Sequence, residues 1–194
     1  MNWGELKNEV RDLGFEESAA IEEYKDIVVS ATNRALHTIN STVLPVTSRY
    51  EFMQDGTEAG LKRYDLIELT KVDGKRTFLA LTDTPVRINE GEYYDFNDFE
   101  IEEGHIIVMD GSIQGAFSIF YKKLPARVTT STQDNMDLDI EERVVPALPL
   151  LVAHYVWLDD DERKATQYYN EYDAMKEALL SENEQVRGKI LGGF

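Results

Sequence analysis

The stretch that most constrains this chain is its last part, Leu138 to Phe194, where apolar residues recur at helical intervals twice with almost nothing between the two runs. Val144, Leu148, Leu151, Val152, Tyr155 and Val156 fall three or four apart and so line one face of a helix. Asp139 followed by Glu142 fits a capping box at its start. Pro146 and Pro149, in its early turns, each remove a backbone donor and should bend it. Asp159 and Glu162 repeat the start signal, and a second stripe follows in Ala165, Tyr168, Tyr169, Tyr172, Met175 and Leu179. So short a break predicts an antiparallel helical hairpin over 139–183. Beyond Ser181 the stripe stops, and 184–194 reads as an extended C-terminal tail.

The first 45 residues also read as helices. Trp3, Leu6, Val10 and Leu13 make a short amphipathic helix, with Gly14 as its left-handed stop and Phe15 at the usual hydrophobic contact. Ser18 should cap a longer helix ending near Asn40, with Ile21, Tyr24, Ile27, Val28, Ala31, Ala35 and Ile39 inward and Leu44-Pro45 as terminator. Over 46–124 the period changes. SRYEFM (48–53), YDLIELT (64–70), RTFLALT (76–82), HIIVMD (105–110) and AFSIFYKK (116–123) are short and partly alternating. Between them lie the turn signals Asp55-Gly56, Asp73-Gly74, Asn89-Glu90-Gly91 and Asp110-Gly111, so about five or six short antiparallel strands are expected. Residues 125–138 are polar and read as an exposed loop. The order predicts an α+β fold, with N- and C-terminal helices packed as a small bundle around a central antiparallel β-sheet insertion.

With 194 residues, 42% of them hydrophobic, the chain can bury a sizeable core as one domain with room for a small second module. Acidic residues outnumber basic ones 37 to 20, a formal charge of −17. A nucleic-acid-binding surface needs clustered Lys and Arg, so this balance argues against one; a channel past which DNA slides is compatible with it. Without cysteine, disulfides, thiol catalysis and cysteine-ligated zinc are excluded. There is no apolar run of about 18 residues and no N-terminal signal region, which sets the expectation of a soluble protein made in a cytosol.

No catalytic constellation assembles. His37, His105 and His154 sit on separate expected elements, no serine lies in a G-x-S-x-G elbow, and Gly111 to Gly115 lacks the Lys-Ser/Thr of a phosphate loop. Asp159 to Glu162 are acids where a helix dipole favours them. The run Asp134 to Asp139 resembles a calcium loop only faintly, lacking glycine at the sixth position and carrying Val145 at the twelfth. The tyrosines of the last helix fit packing better than base stacking. No catalytic residue, metal site or cofactor is therefore expected. The tail differs: Val186, Arg187, Lys189, Ile190, Leu191 and Phe194 put apolar and basic groups at the end of a very acidic chain, either as a disordered end or as a peptide that docks on another chain.

Three stretches together resemble a known family. They are the opening helices through ATNRALHTIN (31–40), the strand and threonine-rich loop FYKKLPARVTTSTQDNMDLDIEE (120–142), and the closing hairpin VAHYVWLDDDERKATQYYNEYDAMKEAL (152–179). The layout is similar to the head-to-tail connector, or adaptor, proteins of tailed bacteriophages. The resemblance implies a non-enzymatic virion protein that forms a ring, commonly a dodecamer, beneath the portal and joins the capsid vertex to the tail around a DNA channel. Its implied partners are the portal protein, neighbouring copies and downstream tail or neck proteins. DNA passes without specific binding, no membrane is involved, and assembly takes place in the host bacterial cytoplasm. By the same resemblance Val186 to Phe194 would dock on the portal. Arg127, Thr129, Thr130, Gln133, Asp134 and Asp137 would form a channel-facing or ring-to-ring loop. The alternative is an acidic DNA mimic that inhibits a nucleic-acid enzyme, which needs carboxylates arrayed on one face. Here the acids are spread through caps, turns and strand ends.

Overall fold

In the computed structural model, which describes residues 1–15 and 23–191 and side chains through Glu182, the chain divides into two compact units. One takes both ends of the chain, 1–45 and 125–194; the other is the stretch 46–124. The class is α+β, with helices and antiparallel sheets. The expected cap at Ser18 and the inward Ile21 lie outside the described residues.

In the first unit, α1 (Trp3–Gly14) opens on a capping box: Glu5 N–H donates to the Asn2 side chain and Asn2 N–H to the Glu5 carboxylate, both at 2.8 Å. It buries Trp3, Leu6 and Val10. Helix α2 (Lys25–Thr42) buries Val28, Ala31, Ala35, Leu36 and Ile39, whereas Ile27, expected inward, is 44% exposed because it falls one position off that stripe. The capping box at Asp139 is not formed. Glu141 instead accepts from Arg143 N–H at 2.7 Å and opens a 3-10 turn, Glu142–Ala147. The α-helix α4 (Leu148–Trp157) begins only after it, with Pro149 in the first turn where a missing donor costs nothing. The prolines thus delay this helix rather than bend it.

Helix α5 (Glu162–Leu191) starts at Asp161, whose carboxylate accepts from Lys164 N–H at 3.0 Å, and not at Asp159. The preceding helix overruns: Asp160 and Asp161 N–H both donate to the Trp157 carbonyl. Of the second stripe, Ala165, Tyr168 and Tyr172 are buried, while Tyr169 and Met175 are each 41% exposed. The helical backbone continues to Leu191 where an extended tail is expected from 184; 182–191 contains no proline and is rich in helix-forming Glu, Gln, Arg and Lys. Helix α4 packs against α1, α2 and α5, and its residues Leu148 to Ala153 are all buried.

Gly14 is not a left-handed stop, since its φ is not positive. It is small for another reason: a Cβ there would overlap the Trp157 indole. That ring sits 5.1 Å from Phe15 and 5.9 Å from Tyr24 between centroids. Lys164 lies 4.1 Å over its centre and donates to the Gly14 carbonyl at 2.9 Å.

The second unit holds two sheets, not one. In the larger, β1 (Thr47–Gln54), β8 (Gly115–Lys123), β4 (Val86–Asn89) and β5 (Glu92–Asp95) lie in that order, and β3 (Phe78–Leu81) also pairs with β8. The smaller is β2 (Leu61–Asp65), β7 (Ile106–Asp110) and β6 (Phe99–Glu102). The expected strand over 64–70 breaks after Asp65, whose carboxylate accepts from Ile67 and Glu68 N–H and caps the single-turn helix α3 (Leu66–Leu69). The β4–β5 hairpin closes through Glu90 and Gly91, both at positive φ (51° and 85°), as a two-residue hairpin turn requires. The core gathers Tyr64, Phe78, Phe96, Ile107, Met109, Phe117, Ile119 and Tyr121.

Candidate functional site

The loop between β8 and the 3-10 turn is a strap fastened to the helices of the first unit. The Asn33 side chain grips Val128 by both backbone groups: its amide donates to the Val128 carbonyl at 2.9 Å and its oxygen accepts from Val128 N–H at 3.0 Å. Val128 is buried in consequence. Further on, the carbonyls of Met136 and Asp134 accept from Trp3 and Gly4 N–H at 2.9 and 2.8 Å, so the strap supplies partners that the first turn of α1 cannot find within itself. Leu138 N–H donates to the Met1 carbonyl, and Lys7 pairs with Asp134 at 2.6 Å.

Between these anchors Arg127, Thr129, Thr130, Gln133, Asp134 and Asp137 are all exposed. Thr129 is tied to Ser131 and Thr132 through hydroxyl contacts of 3.0 and 3.1 Å, which holds the turn in one shape. A surface fixed this way loses little entropy on docking. Beneath it lies a small cavity of about 80 Å³ lined by Trp3, Lys7, Val28, Thr130 and Asp134 among others.

A second surface, in the sheet unit, was not anticipated. The end of β1, the start of β8 and the β4–β5 hairpin enclose an open groove of about 810 Å³. Met53, 81% exposed, stands in it with Ile88 and Tyr94. Asp55 and Asp95 supply carboxylates, and the Arg87 guanidinium is held on the Gln114 carbonyl at 2.6 Å. The N–H of Thr57, helped by its hydroxyl, holds the Asp55 carboxyl below the usual range. Sequence reasoning missed this groove because β4 and β5 are four residues each: the alternation of Val86 and Ile88 with Arg87 and Asn89 is only two periods long, and β5 is exposed throughout.

The family model described as SU10 adaptor protein matches residues 1–190. The chain belongs to this family. It is a phage adaptor, a structural component of the virion at the head–tail junction, and membership points to a non-enzymatic role in association with other virion parts. No curated protein matches it.

In this adaptor the three histidines stay apart. His37 is exposed on α2; the His105 ring meets the Glu103 carbonyl at 3.0 Å; His154 meets the Ala165 carbonyl at 2.9 Å between the rings of Tyr155 and Tyr169. Among the described residues no group of three or more His, Asp or Glu is placed to hold a metal ion. Nor, among them, is any helix long and apolar enough to cross a membrane. Val186, Arg187, Lys189, Ile190 and Leu191 fall on the last turns of α5, with side chains outside the described part of the adaptor; Phe194 lies outside it altogether.

Proposed function

We propose that the adaptor assembles as a ring beneath the portal, joins the capsid vertex to the tail and leaves a channel for DNA. The match of the adaptor family over 1–190 carries this reading. A charge of −17 supports it, because a wall of like charge lets the phosphate backbone pass without sticking. In this reading the portal is met by the end of α5 and the residues after it, through Val186, Arg187, Lys189, Ile190, Leu191 and Phe194. The strap residues Arg127, Thr129, Thr130, Gln133, Asp134 and Asp137 face the channel or the next ring. Partners are the portal protein, copies of the chain in a dodecameric ring, and downstream tail or neck proteins, assembled in the bacterial cytoplasm.

Truncation after Asn183 tests it. Among the described side chains, Leu179 is the last one packed on the core of the first unit, so the truncated protein should unfold with an unchanged midpoint. It should also lose binding to purified portal. Normal docking of the truncated chain sinks the tail assignment, and antibody label on virions that misses the neck sinks the placement itself.

A further inference from the structure

Strand β8 runs nine residues, roughly 26 Å at about 3.3 Å per step, and carries different features at its two ends. At its start lies the groove of Met53, Ile88, Tyr94, Asp55 and Asp95. Near its end β3 pairs with it, Phe78 opposite Lys123, and just before β3 the chain makes a tight hairpin in which Val72 and Lys75 bridge across Asp73 and Gly74. Both central residues have positive φ (49° and 73°), so the turn is narrow and projects. Every residue from 71 to 76 is exposed. Val72 is 58% exposed and Leu69 beside it 41%.

The two ends are complementary. The turn offers two apolar side chains, Leu69 and Val72, beside the cations Lys75 and Arg76, which outnumber the single carboxylate of Asp73 at its tip. The groove offers Met53, Ile88 and Tyr94 beside the carboxylates of Asp55 and Asp95, its one cation, Arg87, being engaged on the Gln114 carbonyl. Neither Lys75 nor Asp95 has an ion-pair partner among the described residues. Lying at opposite ends of one strand, a convex and a concave surface cannot satisfy each other within one copy. Contact between unlike patches on successive copies is heterologous, and closes into a ring when the rotation allows.

We propose that the 71–76 turn of one copy seats in the β1/β4/β5 groove of the next, joining the sheet units head to tail. The choice of a second copy as the occupant rests on the ring reading above. Exposed apolar patches rimmed by charge are a usual mark of such contacts.

Because the chain has no cysteine, the test is clean. Val72→Cys and Met53→Cys are made separately and treated with a short bismaleimide at millimolar subunit concentration, alone and mixed. A cross-linked dimer is expected only in the mixture, and a ladder from the doubly substituted chain. Adding Lys75→Glu to the first variant should abolish the band, and adding Asp95→Lys to the second should restore it. No band in the mixture overturns the contact, as does a band of equal strength from Val72→Cys alone. Ring particles at the neck without the cross-link leave the ring reading standing and remove this contact. A positive cross-link with label away from the neck does the reverse.

Discussion

Replacing Gly14 by alanine sets two effects of opposite sign against each other. In most helices the change helps, by up to about 1 kcal/mol, through lost backbone freedom in the unfolded chain. Here the added Cβ would stand 2.8 Å from Cε2 and 3.0 Å from Cζ2 of Trp157, and closer still to its indole nitrogen. The ring has little room to retreat, with Phe15 and Tyr24 against it and the Lys164 ammonium 4.1 Å over its centre. Overpacking a rigid group of this kind costs about 1–3 kcal/mol. The clash should win, with a net loss of about 1–2 kcal/mol. Both tryptophans, Trp3 and Trp157, belong to the first unit, so urea unfolding followed by tryptophan emission reads that unit without assuming that the whole chain melts together. In a Trp157→Phe background, where the indole nitrogen is gone, the penalty should shrink toward zero or change sign. An unchanged or higher midpoint for Gly14→Ala with Trp157 in place refutes the reasoning, and so does a penalty that persists undiminished beside phenylalanine.

Asn33→Ala leaves the buried N–H and carbonyl of Val128 without their side-chain partners, at a cost of about 1–3 kcal/mol, and should free the strap. Hydrogen exchange of 126–133 should quicken while the amides of β7 and β8 keep their protection; equal rates in both proteins refute the clamp. Glu102 receives two hydrogen bonds from Arg63, at 3.1 and 2.8 Å, and these hold its carboxyl below the ordinary glutamate value. A carboxyl lowered in the folded state adds stability that is present above its unfolded pKa and disappears as pH falls through the folded one. Arg63→Gln should therefore flatten the acid limb of the stability profile of the sheet unit, and an identical limb contradicts that.

What could be read from the residues followed the length of each signal. The stripes of α1, α2 and α4 span several turns each, and most of their members are buried; so were the long strands β1 and β8 visible, and β7 with them. Strands β4, β5 and β6 are four residues each with no fully buried side chain; Val-Arg-Ile-Asn and Phe-Glu-Ile-Glu alternate for only two periods, too short to stand out, and β5 does not alternate at all. Both capping residues in the last third, Glu141 and Asp161, lie two positions past the Asp of the D-x-x-E signals, and α4 itself waits until Leu148. In one case Pro146 forces a 3-10 turn first; in the other α4 overruns until Asp161. Gly14 is needed, but for space beside a residue 143 positions away along the chain, which local reading cannot see. The groove joins three separate segments and depends on the strands that were missed.

The way the second unit is attached explains why the ends of the chain carried the resemblance well and the sheet only loosely. The insertion begins and ends on paired strands: Thr47 lies opposite Lys122, and Lys123 N–H donates to the Val46 carbonyl at 2.8 Å. Its entry and exit are thus neighbours, separated by about 5 Å, the usual strand spacing. The first unit needs only that the chain leave at 45 and return at 125 nearby, because its core contains no residue from 46–124. The number, length and polarity of the strands are then set by the sheet unit's own core and by whatever its surfaces must meet. Helical stripes and the strap that caps α1 answer to packing inside one subunit. Short exposed strands and a turn bearing Val72, Lys75 and Arg76 do not, and in an adaptor that associates with other virion parts such surfaces are where contact with a partner should be sought.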